Sequence, residues 1–207
     1  MIAKRGLKRT RKLAGSKASV SVIPRRSSGN KIIGYVALLL IVGLGFLVAV
    51  ASRRPDTFQV SRTTSIKAPP ERLFPLINDM RAFNAWNPFA KDDPDMKLVY
   101  SGPEAGPGAR LDFGPGRGGQ GSLTIVEARA PTEVVMRLAM DAPLAAHNRI
   151  DFVLQPQGET TRVSWSMQGA VPLLAKVIHT VIDMDRMVGG RMQAGLADLK
   201  AIAEKQP

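Results

Sequence analysis

"TRVSWSMQGAVPLLAKVIHTVIDMDRMVGGRMQAGLADLKAIAE", residues 161–204, changes its period partway, and that change decides the fold. At the start, Thr161, Val163, Trp165 and Met167 alternate with polar neighbours, the two-residue repeat of a strand with one buried face. Over residues 171–205 the spacing becomes three and four. Leu174, Ile178, Val181, Met184, Val188, Met192, Leu196, Leu199 and Ala203 then form one apolar face of a helix. Lys176, His179, Asp183 and Arg186 fall on its polar face. Gly189 and Gly190 sit within this helix at a cost of about 1 kcal/mol each relative to Ala, which points to a kink or a close approach.

Upstream, the two-residue repeat recurs. "TFQVSRTTSI" (57–66), "MKLVYSG" (96–102), "ARLDFG" (109–114), "GSLTIVEARA" (121–130), "EVVMRLAMD" (133–141) and "RIDFVLQP" (149–156) are further strand candidates. Between the five that follow residue 95, and before 161–169, lie Gly, Pro or polar turns at hairpin spacing. "APPERLFPLIND" (68–79) reads as a short helix opened by Pro69-Pro70 and limited by Pro75. A second short helical turn, "MRAFNAW", ends at Asn87-Pro88. An antiparallel sheet of about seven strands cannot cover its own face, and one long amphipathic helix can lie in its concave side. The expected class is α+β.

This order, with "FNAWNPFAKDDPDMK", "GQGSLTIVEA", "TRVSWSMQG" and "GLADLKAIAE", resembles the SRPBCC superfamily. It looks most like the polyketide cyclase/dehydrase and lipid-transport group, which shares the helix-grip fold of StAR-related lipid-transfer domains. The motifs that carry the resemblance are Trp86-Asn87-Pro88, Gly121 at the head of a strand, and Thr161, Val163, Trp165 and Met167. The resemblance implies a curved sheet wrapped around the C-terminal helix, with a cavity for a hydrophobic molecule between them. Trp86 is then expected either at the mouth of that cavity or as a plug in the core.

The ends of the chain differ in charge. Residues 1–54 hold twelve Lys or Arg and no Asp or Glu, whereas residues 55–207 hold seventeen of each sign. The net charge of +12 therefore belongs to the N-terminal part, and specific nucleic-acid binding by the neutral part is not expected. "IIGYVALLLIVGLGFLVAVA" (32–51) is twenty residues without a charge, enough for a helix to cross roughly 30 Å of hydrocarbon. The expected organisation is a basic disordered cytoplasmic tail (1–31), a transmembrane helix (32–51), a linker (52–56) and one domain (57–207). Ten Lys or Arg precede the apolar run and five fall in residues 52–72. The positive-inside rule then places the domain on the outer, periplasmic side of a bacterial inner membrane. Ala49-Val50-Ala51 also fits a small-residue cleavage site, so a signal peptide is the alternative. The absence of cysteine excludes disulfides, thiolate metal sites and cysteine nucleophiles.

Strand and helix parity nominate the cavity lining. The candidates for ligand binding are Trp86, Phe89, Leu111, Phe113, Met136, Leu138, Met140, Phe152, Trp165, Met167, Met184, Met187 and Met192. Methionine suits adaptable apolar pockets. Acid–base candidates are few. Glu127 shares parity with Leu123 and Ile125, which would turn it inward near a strand end. His147 lies in an apparent turn, and Asp112 has outward parity. "GPGRGG" (114–119) matches a dinucleotide-loop spacing but precedes a strand, so it reads as a hairpin. "DDPD" (92–95) lacks calcium-loop spacing and reads as a solvated loop. No cofactor or metal is expected.

The expected function is a membrane-anchored binding or transport domain for a hydrophobic small molecule such as a lipid, quinone or polyketide-like compound. Its partners would be that ligand and, through the anchor and basic tail, membrane lipid. The alternatives are a cyclase/dehydratase-type enzyme using Glu127, and a partner-binding module with a filled core.

Overall fold

A computed structural model of the chain describes residues 28–53, 55–116, 119–142, 145–172, 175–176 and 183–205. The chain divides into two compact units, Met1–Gly43 and Leu44–Pro207. Helix α1 runs Ser28–Ser52, taking in four residues expected in the tail; residues 1–27 lie outside the described part. Its segment Lys31–Ser52, with mean hydropathy 2.7, is long and apolar enough to be a membrane anchor or a signal sequence. Ile33, Leu39 and Phe46 are exposed along it.

The second unit contains seven strands: β1 (Thr57–Ile66), β2 (Leu98–Ser101), β3 (Arg110–Gly116), β4 (Gly119–Arg129), β5 (Glu133–Ala142), β6 (Ala146–Gln157) and β7 (Thr160–Ala170). They form one antiparallel sheet in the order β1-β7-β6-β5-β4-β3-β2. Consecutive strands from β2 to β7 are neighbours, as short hairpin links require. The "GPGRGG" stretch joins β3 to β4, with Gly116 paired to Gly119.

Three short helices connect β1 to β2: α2 (Pro70–Asn78), α3 (Met80–Trp86) and α4 (Pro88–Lys91). Their boundaries follow from local chemistry. Asp79 caps α3 by accepting from the amides of Arg81 at 2.7 Å and Ala82 at 2.9 Å. Asn87 ends α3, and its side chain accepts from the Phe89 amide at 3.2 Å to cap α4, where Pro88 fills the first helical position.

The C-terminal helix α5 spans Met184–Lys205. Asp183, placed on a polar face by periodicity, instead accepts from the Arg186 amide at 3.0 Å and caps this helix, while upstream in the expected 171–205 stretch Ala175 and Lys176 are also helical and residues 173–174 and 177–182 lie outside the described part. Leu174, Ile178, His179 and Val181 lie outside the described residues. Lys176, expected on the polar face, is buried with Nζ 2.5 Å from Asp56 Oδ1.

Helix α5 packs along β1 and is pinned near both ends. Phe58, Val60, Arg62, Thr64 and Ile66 are the less exposed residues of β1, alternating with exposed neighbours. Arg62 reaches Asp185 with two side-chain hydrogen bonds of 3.0 and 2.9 Å, and donates to its carbonyl at 3.1 Å. At the other end Glu204 accepts from the Lys67 amide at 2.7 Å and from Lys200 Nζ at 2.8 Å. A Cβ on Gly189 would stand 2.0 Å from Arg62 Nη2, so the glycine is where the guanidinium crosses the helix. Gly195 is a second close approach: its Cβ would fall 2.8 Å from Pro88 Cδ and 3.0 Å from Trp165 Cζ3.

Candidate functional site

A cavity of about 840 Å³ opens inside the second unit. Its sheet-side wall is apolar apart from Asn148 of β6: Leu98, Leu111, Phe113, Leu123, Leu138, Met140, Ile150 and Met167 come from β2 to β7. The opposite side is made by Phe83 and Asn84 of α3, the α4 region from Asn87 to Asp93, and Met187, Val188 and Arg191 of α5. The volume falls within the range of small-molecule sites, and its apolar lining with few polar groups is their usual composition.

Of the residues nominated from sequence, Phe89, Leu111, Phe113, Leu138, Met140, Trp165, Met167 and Met187 border this cavity. Trp86, Met136, Phe152 and Met192 do not; each is fully buried in the packed core. The Met184 side chain lies outside the described ones.

Trp86 stands behind the wall rather than in it. Its ring meets Phe83 edge to face at 4.9 Å, Phe152 at 5.9 Å and Trp165 at 5.7 Å between centroids. Its Nε1 donates 2.8 Å to the Leu76 carbonyl. That carbonyl belongs to the last turn of α2, where helical acceptors lose their amide partners. The amide that would answer it in a continuing helix, that of Met80, donates to Glu104 instead. Trp86 therefore ties α3 to the open end of α2 while filling core space.

Glu127 is a correction. A bulge in β4 puts Ile125 opposite Met136 but Glu127 opposite Val135, inserting one residue between them. Beyond the bulge the faces exchange. Ala128 packs on the core, and Glu127 is exposed with its carboxylate 3.1 Å from Arg129 Nη2. It is not in the cavity. His147 is the second residue of β6 rather than lying in a turn, and is exposed. Asp112 pairs with Arg110, whose hydrogen bond to the carboxylate raises the guanidinium pKa.

The "DDPD" loop is a second correction. Asp93 is buried, at 6 % exposure, and borders the cavity. Its neighbour Asp92 is exposed and lies 3.0 Å from Arg191 Nε, while the Arg191 guanidinium stands 5.5 Å from the centre of the Phe89 ring. Lys91 and Asp198 form a further α4–α5 pair at 2.8 Å. No pattern signal marks Asp93, because a loop has no period from which burial can be read.

Two cavity-lining side chains carry buried polar atoms without a hydrogen-bond partner: Nε1 of Trp165 and Oδ1 of Asn148. Each such atom costs about 1–3 kcal/mol relative to a satisfied one. Among the described residues there is no group of three His, Cys, Asp or Glu side chains fit to hold a metal.

Known structures share this fold at low identity. Norcoclaurine synthase from Thalictrum flavum, solved with dopamine and hydroxybenzaldehyde, superposes with a TM-score of 0.57 at 13 % identity, covering 73 % of this chain and 88 % of that one. A protein from Chromobacterium violaceum superposes with a TM-score of 0.51 at 19 % identity, over 73 % and 99 % of the two chains. The Aha1 dimer from Colwellia psychrerythraea gives 0.50 at 16 %, over 69 % and 93 %. No curated protein matches the chain. The sheet, the terminal helix and the cavity between them agree with the sequence pattern: residues 57–204 match the model for polyketide cyclase / dehydrase and lipid transport, and the chain belongs to that family.

Proposed function

We propose that residues 57–207 form a binding or transport domain for a hydrophobic small molecule, held at a membrane by the N-terminal helix. The observation that carries this reading is the cavity of about 840 Å³ with its apolar sheet-side wall. A lipid, a quinone or a polyketide-like compound has the matching chemistry. Tethering supports it further, since an anchor raises the concentration of the domain near lipid-borne ligands. The charge asymmetry favours a cytoplasmic tail and an exported domain, with the tail against anionic lipid.

The test is native mass spectrometry of the full chain released from amphipol, with organic extraction of bound material. A hydrophobic compound that co-purifies, and that is lost in Leu138→Trp, supports the reading. Leu138 lines the cavity and is only half-buried, so the larger ring fills the space without opening the core. A chain that arrives empty and takes up nothing from a lipid and quinone panel overturns it.

The enzymatic alternative passes from Glu127 to Asp93, the buried carboxylate bordering the cavity. Turnover that survives Asp93→Asn would count against that role.

A further inference from the structure

We propose that the mouth of the cavity is held against the surface of the bilayer that anchors the chain, so that ligand passes between cavity and membrane without crossing water. The inference rests on the binding-domain reading above and adds the surface through which the cavity is loaded.

Exposure locates the mouth. Along β6 the lining residues become more buried from the start of the strand inward, from half-buried Ala146 to buried Ile150. Along β7 they do so from its end, from exposed Ala170 to buried Met167 and Trp165. Gly169 pairs with Asn148, so both gradients start at the same end of the sheet. The exposed apolar lining gathers there: Ala145 before β6, Ala170 and Pro172 at the end of β7, and Met187 in the first turn of α5. The other exposed lining residues, Asp92 and Arg191, are paired with each other. Over residues 57–205 the large apolar side chains that stand exposed among the described residues are Val99 and Met187, and Met187 is on this rim. Exposed apolar surface around an opening suits contact with lipid.

The tether departs from the same rim. Thr57, the first residue of β1, pairs with Ala170, and Phe58 beside it lines the cavity. Asp56 is fastened to this edge twice. Its carbonyl accepts from the Val171 amide at 2.7 Å, and its carboxylate holds Lys176 Nζ, next to the cavity-lining Ala175. Only residues 53–55 remain between this fastening and the end of α1 at Ser52. From Ser52 to Asp56 the chain reaches roughly 14 Å at full extension. The headgroup layer on each side of the hydrocarbon is about 5–8 Å thick. An anchor that ends at the edge of the hydrocarbon therefore keeps the rim at the headgroups or within one further layer of them. The far end of the sheet is out of that reach, since Thr160 and Ala170 stand roughly 33 Å apart along β7.

The chain has no cysteine, so a single introduced one can carry a fluorophore. The full chain is placed in phosphatidylcholine nanodiscs and labelled with bimane at one exposed position at a time, each outside the cavity lining. Arg186→Cys lies on the rim in α5, Asp141→Cys lies at the same end of the sheet on β5, three strands from β1, and Glu159→Cys lies in the turn at the far end. The quencher is phosphatidylcholine with a nitroxide on its headgroup. Quenching is expected at positions 186 and 141 and absent at 159. No quenching at 141, or quenching at 159 as strong as at 141, overturns the docked mouth, because a domain that swings freely on its tether shows no such order. Insertion of about twenty Gly and Ser residues after Arg53 extends the tether by about 25 Å root-mean-square and is expected to abolish the difference between 141 and 159. A difference that survives the insertion overturns the tether as its cause. The readout needs no ligand, so it separates from the mass-spectrometric test of binding. An undocked rim on a chain that carries a hydrophobic compound overturns the docking and leaves the binding-domain reading intact. A docked rim on a chain that arrives empty and takes up nothing supports the docking surface and overturns the binding-domain reading.

Discussion

Trp86 and Trp165 meet edge to face, with ring centroids 5.7 Å apart and planes at 86°. They divide two tasks that a single tryptophan can combine. Trp86 uses its indole N–H to close the end of α2, and its ring backs the cavity wall without touching the cavity. Trp165 forms part of the wall and leaves its N–H without a protein partner.

Trp86→Ala is expected to cost about 3–5 kcal/mol, as for truncation of a fully buried aromatic. Trp86→Phe keeps most of the ring contact and removes the donor to Leu76, so its cost falls to about 1–3 kcal/mol. Chemical denaturation of the two variants beside the native chain checks the order. A Phe variant as unstable as the Ala variant would show that the lost hydrogen bond, and not the ring contact that phenylalanine keeps, carries the cost.

The two adjacent glycines of α5 predict opposite responses to alanine. Gly190 faces open space, so Gly190→Ala is expected to stabilise by about 0.5–1 kcal/mol through helix propensity. At Gly189 the new methyl displaces the Arg62 guanidinium, and the gain is cancelled. In an Arg62→Ala background, Gly189→Ala recovers the gain, and this non-additivity in melting temperature is the readout. Gly195→Ala meets the Pro88 ring and the Trp165 edge, which cannot swing away, and costs about 1–3 kcal/mol.

Acid is expected to loosen α5 from both ends. The hydrogen bond from Arg62 lowers the Asp185 pKa; hydrogen bonds from Lys200 and from the Lys67 amide lower that of Glu204. A carboxyl with a lowered folded-state pKa contributes stability that is present above its unfolded value, near 4, and is lost as pH falls through the folded value. The opening free energy of α5, taken from hydrogen-exchange protection factors corrected for the intrinsic rate at each pH, should therefore be flat between about pH 5 and 7 and fall below about 4. Arg62→Ala abolishes this change at the N-terminal end and leaves it at the C-terminal end. Unchanged protection across that range in the native chain would show that neither contact holds the helix.

Much of this architecture is legible in residue order because strands and helices repeat at different periods. Thr57–Ile66 was readable to the residue, since its alternation is unbroken and a charged linker and prolines flank it. The cavity lining was legible where the period is intact, as at Leu138 and Met140, or Trp165 and Met167. It failed at Glu127 because one inserted residue exchanges the faces of a strand, and alternation carries no mark of a bulge.

What the sequence by itself determined is the seven strands, two of the three short helices and the terminal helix, their order, and the family that this order and its motifs point to. Those rest on local forces: side-chain period, proline and asparagine at helix starts, glycine at turns. What the tertiary structure decided is which apolar residues border empty space and which fill it. Trp86 and Trp165 are both aromatic and both fully buried, yet one backs the cavity and the other lines it. Burial is a property of hydrophobicity and can be read along a chain. An unfilled volume is a property of how distant surfaces fail to meet, here a curved sheet and a helix pinned across it at Arg62–Asp185 and Lys67–Glu204.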